Sequence, residues 1–453
     1  MASSNDTIFA LSSGRLPAAI AVVRLSGPRA GGALKALTGK IPEPRRAALA
    51  RVRDPATNEV IDEALALWFP GPKSETGEDT AELQLHGGRA VLAAVLGALG
   101  RIEGLRMAEP GEFTRRAFEN GHLDLTAVEG LADLIGAETE AQRRQAYRQL
   151  KGLLGDRAED WRKRLIEALA LVEARIDFSD EADVPEDLVG PALKIAAELD
   201  AEIAAALAGA SRGERLRDGL VVAIAGPPNA GKSTIFNRIA RREAAIVSPI
   251  AGTTRDVIEV HLDLGGYPVT VLDTAGMRES DDPVEREGVR RAMERAEAAD
   301  LVVWVEDITT SDLLRLETPS PRARHMWFVE NKVDLDESTK DEDINQPYEL
   351  QDILFYVSDK DEHGFSSFMN RLAEYAAEFF GSEPALVSRE RQRQLLEVTD
   401  EALLAALAEG AQGREDIIAE ELRIAANALG RLTGRVDVED ILDVIFRDFC
   451  IGK

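Results

Sequence analysis

Residues 226–233 read GPPNAGKS, and their spacing is the strongest indication of fold in the sequence. It follows the apolar run 221–225 and precedes the helical stretch TIFNRIARRE, the strand–loop–helix context that a G-x-x-x-x-G-K-[ST] loop requires. Glycines let backbone N–H groups turn inward onto phosphate oxygens at the positive end of the next helix. The stretch therefore predicts a nucleotide-binding α/β domain, with Lys232 on the β/γ-phosphates and the Ser233 hydroxyl on Mg²⁺.

Two further motifs follow in the order that a nucleotide switch requires. GTTRD at 252–256 offers Thr254 as a hydroxyl that closes on Mg²⁺ and senses the γ-phosphate. DTAG at 273–276 follows a strand-like run, which puts Asp273 near the metal and Gly276 near the γ-phosphate. Chance occurrence of the phosphate loop alone is a real alternative, and these motifs make it remote.

A fourth motif, NKVD at 331–334, indicates which base is bound. With all four motifs the chain resembles a Ras-like GTPase. The resemblance implies that Asp334 accepts hydrogen bonds from the guanine N1–H and exocyclic amine, while Asn331 contacts the base edge. Adenine has no such donors there, so the expected nucleotide is GTP rather than ATP.

Hydrolysis cannot use the glutamine that Ras-like GTPases often place directly after the DxxG motif. That position is Met277, which cannot hydrogen-bond a water. A carboxylate of the following loop, RESDDPVERE, must orient the water instead. No arginine can be recognised from the sequence as an arginine finger, which would stabilise the charge of the transition state. The side-chain carbonyl of Asn229 could instead hold a monovalent cation against the phosphates.

Length and composition bound the remaining possibilities. A chain of 453 residues predicts two to four domains, and 45% apolar with 30% charged residues is an ordinary globular mixture. No apolar run is long enough to span a membrane, and the N-terminus has neither a signal-peptide nor a transit-peptide pattern. One cysteine and five scattered histidines give no disulfide and no metal-ligand spacing. We expect a cytoplasmic protein.

The net charge of −27 predicts repulsion from polyanions. Any RNA contact would need a local basic patch or a partner that supplies one. The run Arg143, Arg144, Arg148 and Lys151 is such a patch, although a solvated helix face is the simpler interpretation.

Changes in composition and in hydrophobic pattern along the chain predict four segments. Residues 1–118 mix short β-like runs with turns and helices, an α+β domain; 119–216 and 381–453 are helical; 217–380 alternate strands and helices. Each helical segment has an apolar stripe that needs a partner, so we expect the two to pack together with the α/β domain inserted between them. The stripes are Leu165, Leu169, Val172 and Ile176, and Ile418, Leu422, Ala425 and Leu429.

Five stretches together carry a closer resemblance: GPPNAGKS, AAIVSPIAGTTRD, DTAGMRESDDPVERE, LDLTAVEGLADLIGA and the terminal FCIGK. On them the chain is similar to the MnmE (TrmE) family over essentially its whole length. The resemblance implies a tetrahydrofolate-binding N-terminal domain, a discontinuous helical domain, an inserted P-loop GTPase domain and homodimerisation. It also implies a complex with the FAD-dependent protein MnmG, which together with this chain forms the carboxymethylaminomethyl group at C5 of tRNA wobble uridines from a folate one-carbon unit.

The same resemblance implies a set of site residues. Glu285 would position the attacking water, and Mg²⁺ would be held by Ser233 and Thr254. Potassium would replace the arginine finger. Its ligands would be Asn229, Ser248, Ile250 and Thr253. The GTP site would comprise residues Asn229, Ala230, Gly231, Lys232, Ser233, Thr234, Ser248, Pro249, Ile250, Ala251, Gly252, Thr253, Thr254, Asp273, Thr274, Ala275, Gly276, Asn331, Lys332, Asp334, Ser358, Asp359 and Lys360.

Folate contacts would come from Arg24, Glu82 and His122, the last standing where the family commonly has Lys or Arg. Cys450, the single cysteine, would act as nucleophile or proton donor in one-carbon transfer. Two other functions stay open: a regulatory GTPase of ribosome assembly with non-catalytic outer domains, and a nucleotide-binding scaffold with negligible turnover.

Overall fold

The structure is a computed structural model with two compact units, one of 1–132, 149–197 and 401–453 and one of 133–148 and 198–400. The residues it describes are 6–178, 187–227, 229–242, 245–246, 259–273, 299–309, 325–335, 353–358, 362–381, 385–410, 412–436, 442, 445–446, 449 and 452.

The first unit contains a six-stranded sheet in the order β3-β4-β5-β2-β1-β6. Its strands are β1 (Thr7–Leu11), β2 (Ala18–Ser26), β3 (Ala48–Arg53), β4 (Val60–Phe69), β5 (Thr80–Gly87) and β6 (Leu105–Met107). All neighbours are antiparallel except β1 and β6. Strand β2 alternates as a half-buried strand should: Ala21, Val23 and Leu25 are fully buried, whereas Val22 and Arg24 point to the opposite face.

Two helices cover one face of this sheet, and the opposite face is exposed except near β1, whose Ile8 and Ala10 are buried there in a cluster with Phe113. Helices α1 (Ala30–Thr38) and α2 (Arg89–Gly100) contribute their buried residues to the same apolar core as the strands. On the opposite face Ile20, Leu49 and Leu65 are 55%, 69% and 40% exposed. We call this surface the open face.

Most of the described residues at 112–218 and 390–433 are helical. They are α3 (Glu112–Glu119), α4 (Leu125–Gly136), α5 (Glu140–Leu150), α6 (Gly155–Asp177), α7 (Val189–Ala208), α8 (Ala210–Asp218), α11 (Glu390–Gly410) and α12 (Glu415–Thr433). Helix α6 packs along α12, which confirms the expected pairing of the two helical segments. Ion pairs from Arg423 to Glu173 and from Arg175 to Glu415 join the same two helices.

The apolar stripe of α12 is as expected, and that of α6 is not. Ile418, Leu422, Ala425 and Leu429 are all fully buried on α12. On α6 the buried positions are Gly155, Ala158, Trp161, Leu165, Ala168 and Val172. Thus Ala168 replaces Leu169 in the stripe, and Ile176 is 39% exposed, so this part of the prediction was wrong. Small residues on the contact line let two helix backbones approach closely, and hydrophobicity alone does not reveal that line.

The second unit contains the other six-stranded sheet, in the order β12-β11-β10-β7-β9-β8. Its elements are β7 (Leu220–Ala225), α9 (Lys232–Ala240), β8 (Glu259–Leu264), β9 (Tyr267–Asp273), β10 (Leu301–Asp307), β11 (His325–Asn331), β12 (Ile353–Val357) and α10 (Glu362–Phe380). All pairs are parallel except the edge hairpin of β8 and β9. This is the predicted P-loop α/β architecture.

The predicted fold class is therefore confirmed: an α+β N-terminal region, helical segments and an α/β region with a phosphate loop after its first strand. The domain boundaries at 118, 216 and 380 stay predictions. Within the described part of the chain, no helix combines the length and the hydropathy needed to cross a membrane.

Candidate functional site

The candidate nucleotide site lies at one edge of the second sheet. Five parallel strands end there, so the residues that follow them meet in space although they are far apart in sequence. The last residues of these strands are Ala225, Asp273, Asp307, Asn331 and Val357. Three of the four predicted motifs begin at or directly after one of these ends.

The phosphate loop needs its glycines for two reasons. Gly226 and Gly231 have φ angles of +140° and +94°, which L side chains rarely adopt. A Cβ on Gly226 would lie 2.1 Å from the Val305 carbonyl oxygen, and one on Gly231 would lie 2.0 Å from Asn331 Nδ2. Asn229 also has a positive φ of 64°, which asparagine tolerates better than most residues. The loop is thus shaped to turn its backbone toward a ligand at the N-terminus of α9.

The Lys232 ammonium group is folded into this loop. Its Nζ donates to the carbonyl oxygens of Gly226 at 2.8 Å and Pro227 at 2.7 Å. Burial lowers the pKa of Lys232, and the nearby Asp273 carboxylate opposes that shift. A phosphate would give this ammonium a charged partner in place of two carbonyls, so the geometry fits a phosphate ligand.

Ser233 and Asp273 come together across the two loops that carry them. The Ser233 hydroxyl donates to Asp273 Oδ2 at 3.2 Å, and the Asp273 side chain is buried. A hydroxyl and a carboxylate are the oxygen ligands that Mg²⁺ takes beside substrate phosphates. These two side chains therefore fit a Mg²⁺ ion at this point.

The NKVD segment is tied directly to the phosphate loop. Asn331 donates through Nδ2 to the Ala230 carbonyl at 2.9 Å, and it is 5% exposed. Lys332 donates through Nζ to the Asn229 carbonyl at 3.0 Å. Asp334 lies in a short 3₁₀ helix, Val333–Leu335, with its side chain exposed. The structure thus places the Asn331 amide on the loop backbone and leaves Asp334 on the accessible side.

Asp307 belongs to this site although the sequence analysis missed it. Its Oδ2 lies 2.6 Å from Lys332 Nζ. Burial raises the pKa of Asp307, but hydrogen bonds from Lys332 and Thr309 outweigh burial and hold the pKa below its usual value. The signal available in the sequence was a carboxylate at the end of the apolar run LVVWV, in line with the motif at the end of the neighbouring strand.

Ser358, from the loop predicted to cover the base, is also fixed to the phosphate-loop helix. Arg238 on α9 donates to the Ser358 carbonyl at 2.8 Å, and its guanidinium lies 4.2 Å from the centroid of the Phe365 ring. This contact links the end of β12 to α9. The arrangement brings a third loop to the same edge as the phosphate loop and the NKVD segment.

Thr234 follows Ser233 in the first turn of α9. Other predicted site residues, including the tail cysteine, lie outside the described residues. They are Ser248, Pro249, Ile250, Ala251, Gly252, Thr253, Thr254, Thr274, Ala275, Gly276, Glu285, Asp359, Lys360 and Cys450. Of the predicted potassium ligands, only Asn229 is described. Of the predicted Mg²⁺ ligands, Ser233 is described and Thr254 is not.

The predicted folate residues lie on the first sheet. Arg24 on β2 and Glu82 on β5 are directly opposite in the register, with Arg24 Nε 3.0 Å from Glu82 Oε1. Glu75 adds a second carboxylate, 2.5 Å from Arg24 Nη1. His122 is packed against the segment that carries Glu75, because a Cβ on Gly77 would lie 3.0 Å from His122 Nε2. The three predicted residues therefore share one neighbourhood.

The C-terminal tail reaches the same sheet. Ser12, just after β1, donates through Oγ to the Gly452 carbonyl at 2.7 Å. Phe446 and Phe449 join an apolar cluster with Leu125 and Val128 of α4. Because Leu11 is paired with Val23, the neighbour of Arg24, the tail contact lies close to the Arg24–Glu82 pair.

Comparison with known proteins gives two family models. "GTP-binding protein TrmE N-terminus" matches residues 7–122, and "MnmE helical domain" matches residues 125–450. The chain is 59% identical over 451 residues to a "tRNA modification GTPase MnmE" of Bradyrhizobium sp. (strain ORS 278), covering 99% of each chain. It is 58% identical over 452 residues to the protein of that name in Rhodopseudomonas palustris (strain ATCC BAA-98 / CGA009), again covering 99% of each.

A third relative with the same name, from Azorhizobium caulinodans, is 55% identical over 453 residues and covers 100% of each chain. The matches run through the N-terminal sheet, the helical segments and the phosphate-loop region alike. At this identity and coverage, the chain belongs to the MnmE family.

Proposed function

We propose that this chain is a potassium-activated GTPase that acts with the FAD-dependent protein MnmG on tRNA. Together they would form the carboxymethylaminomethyl group at C5 of wobble uridines, with a tetrahydrofolate derivative as the one-carbon donor. The proposal rests on the similarity, over nearly the whole chain, to relatives named tRNA modification GTPase. It also rests on the hydrogen bonds that join the phosphate loop to the NKVD segment. A tRNA substrate makes the cytoplasm the expected location.

GTP binding has the most direct support. A triphosphate would contact the backbone of the phosphate loop, and Lys232 would exchange its bonds to the Gly226 and Pro227 carbonyls for the β/γ-phosphates. Asp334 is exposed beside it and would accept from guanine. Mg²⁺, when bound, supplies charge neutralisation at the phosphates, and Ser233 with Asp273 would hold it. Hydrogen bonds from Asn331 and Lys332 hold the NKVD segment, which would contact the base, against the phosphate loop.

Potassium activation is supported by what the chain lacks and by Asn229. Met277 stands where a water-orienting glutamine would be, so that task falls to Glu285 in the proposal. Asn229 sits at the top of the phosphate loop with a positive φ, and its own carbonyl is engaged by Lys332. Its side chain would hold the ion, which supplies positive charge against the phosphates during hydrolysis.

The folate part of the proposal is supported by chemistry on the first sheet. Glu82 is paired through one carboxylate oxygen, so its other oxygen can accept from a pterin-like donor edge. His122 would contact the folate as a hydrogen-bonding imidazole. Cys450 follows Phe449, which is anchored on α4, and precedes Gly452, which is bound to Ser12. Cys450 would act as nucleophile or proton donor on a folate held at Arg24.

Homodimerisation is supported by the open face. Leu49 and Leu65 are direct cross-strand partners, and both are well exposed. Exposed apolar residues clustered on one sheet face mark an interaction surface more often than isolated ones do. We expect Leu49→Asp with Leu65→Asp to give a monomer by light scattering, whereas Leu404→Asp, at another exposed leucine, would leave a dimer.

One paired experiment tests the main proposal. GTP hydrolysis by the purified chain is measured in potassium and in sodium at equal ionic strength, and wobble nucleosides are measured by mass spectrometry in cells lacking the gene. We expect a large potassium stimulation and loss of the modified nucleoside. Equal rates in both salts would remove the cation from the proposal, and unchanged nucleosides would remove the tRNA reaction.

A further inference from the structure

The second unit has a cavity whose lining contrasts with the charge of the chain. Its volume is about 120 Å³, several times what a single water needs. Three arginines line it: Arg144 and Arg148 from α5, and Arg212 from α8. Tyr267 and Phe380, whose rings are stacked at 5.5 Å, also line it. We call it the arginine cavity.

Positive charge dominates the lining of the arginine cavity. No carboxylate is among the described residues that line it, although the chain as a whole carries a net charge of −27. Arg144 is paired with Glu140 at 2.7 Å. Within the described part of the chain, the side chains of Arg148 and Arg212 have neither an ion pair nor a hydrogen bond. Two guanidinium groups are therefore available to an anion.

Packing holds the two arginine-bearing helices in place. The Gln145 amide on α5 donates through Nε2 to the Gly213 carbonyl on α8 at 3.1 Å. The N-terminus of α5 is fixed to the β8–β9 hairpin, because the Ala141 N–H donates to the Gly266 carbonyl at 3.0 Å. Gly381 lets Arg212 come close, since a Cβ there would lie 3.3 Å from Arg212 Nη1. Hydrogen bonds thus hold the backbones that carry Arg148 and Arg212 on one cavity.

Gln145 adds a second kind of polar group. It is 7% exposed, and its Oε1 has no hydrogen-bond partner among the described residues. A buried acceptor without a partner costs about 1–3 kcal/mol, so a donor entering the cavity would be favoured. The sugar-phosphate backbone of RNA offers both a phosphate for the guanidinium groups and a ribose hydroxyl as a donor.

We propose that the arginine cavity binds a backbone phosphate of RNA. Arg148 and Arg212 contact the phosphate oxygens, for which the planar guanidinium fork is well suited. Arg143 and Arg144 share the single carboxylate of Glu140, so this end of α5 keeps a net positive charge beside the cavity, as binding of a polyanion rather than an isolated anion favours. The inference rests on the proposed function, in which tRNA is the substrate.

The test measures tRNA binding by the full-length chain through fluorescence anisotropy of a labelled transcript, starting at about 50 mM salt. The variant is Arg148→Gln with Arg212→Gln. The matched control, Lys40→Gln with Arg46→Gln, removes two exposed positive charges of the first unit. Midpoints of thermal unfolding for both variants check that the fold is intact.

We expect the arginine variant to bind tRNA about tenfold more weakly, with the slope of log affinity against log salt smaller by about two. The control keeps the wild-type affinity and slope. Wild-type affinity in the arginine variant overturns the inference, and so does an equal loss in the control, which would be an effect of net charge. Displacement of the RNA by inorganic phosphate alone at the same ionic strength would assign the site to a free anion and likewise overturn it.

Failure of the inference and failure of the proposed function give different results. Wobble nucleosides that are unchanged in cells lacking the gene contradict the proposed function, whatever the anisotropy shows. Lost nucleosides together with wild-type RNA binding by the arginine variant contradict only the role of the arginine cavity.

Discussion

The two six-stranded sheets of this chain carry their candidate functional side chains in different places. In the parallel sheet of the second unit, the side chains lie at the carboxyl ends of the strands. In the largely antiparallel sheet of the first unit, Arg24 and Glu82 lie in the middle of strands and point from one face. Parallel strands gather their ends at one edge, whereas antiparallel strands leave a broad face available.

This difference determines how a substitution would act. A site at strand ends is made of loops that can be altered one contact at a time, because the strands behind them form a separate buried core. A site on a sheet face shares its strands with the core, so its residues alternate with buried ones. The following predictions begin with the largest expected effect.

Asp334→Asn, at the strand ends of the parallel sheet, should have the largest effect on nucleotide binding. If the exposed Asp334 reads guanine, its replacement removes two charge-assisted hydrogen bonds, and GTP affinity falls on the order of a hundredfold or more. Xanthosine triphosphate, whose base offers the complementary pattern, would gain affinity. Isothermal titration with both nucleotides measures this, and equal losses for both would contradict a direct contact with the base.

Substitutions on the first sheet and at the tail should separate the two chemistries. We expect Arg24→Gln and Cys450→Ser each to reduce wobble modification in cells by about a hundredfold, the first by loss of a folate contact and the second by loss of a group that acts directly in catalysis. GTP hydrolysis by the purified Cys450→Ser variant would stay at the wild-type rate. Loss of both activities in that variant would instead indicate a structural role for the tail.

Asp307→Asn tests whether the unforeseen contact positions the nucleotide site. Losing the carboxylate weakens its hold on Lys332, so we expect nucleotide affinity to fall about tenfold while Asp307→Glu restores part of it. Glu259→Gln, on the edge strand β8, is the matched removal of one negative charge. A matching loss in Glu259→Gln would show that the effect is not specific to Lys332.

The smallest expected effect is on pH dependence. Burial lowers the pKa of Lys232 in the nucleotide-free chain, and a bound triphosphate favours the charged ammonium. Nucleotide binding therefore takes up a proton when the pH lies between the lowered pKa of Lys232 in the free chain and its higher pKa in the complex, so affinity falls as the pH rises through that interval. Titration from neutral toward alkaline pH should show a decline that Lys232→Arg reduces, since arginine stays charged throughout this range; the part that remains belongs to loss of the guanine N1 proton.

The part of the nucleotide site that is formed by contiguous residues could be predicted from the sequence. Gly226, Gly231, Lys232 and Ser233 lie within one loop, and each is required by local backbone or phosphate chemistry. Asp307 was not predictable, because its importance depends on the parallel pairing of β10 with β11, which sets it beside Asn331. The buried face of α6 was only partly predictable, because close helix contact selected Ala168 over the larger Leu169.

From the sequence alone it was possible to predict the phosphate loop, the alternation of strands and helices around it, and GTP as the nucleotide. The resemblance to the family was also visible in the sequence. These follow from short-range rules: backbone freedom at glycines, residue spacing and the order of motifs. Only the folded chain reveals which carboxylates pair with Arg24, which hydroxyl donates to the Gly452 carbonyl, and which arginines line one cavity. Those contacts join residues distant in the chain, so only strand register and helix packing could bring them together.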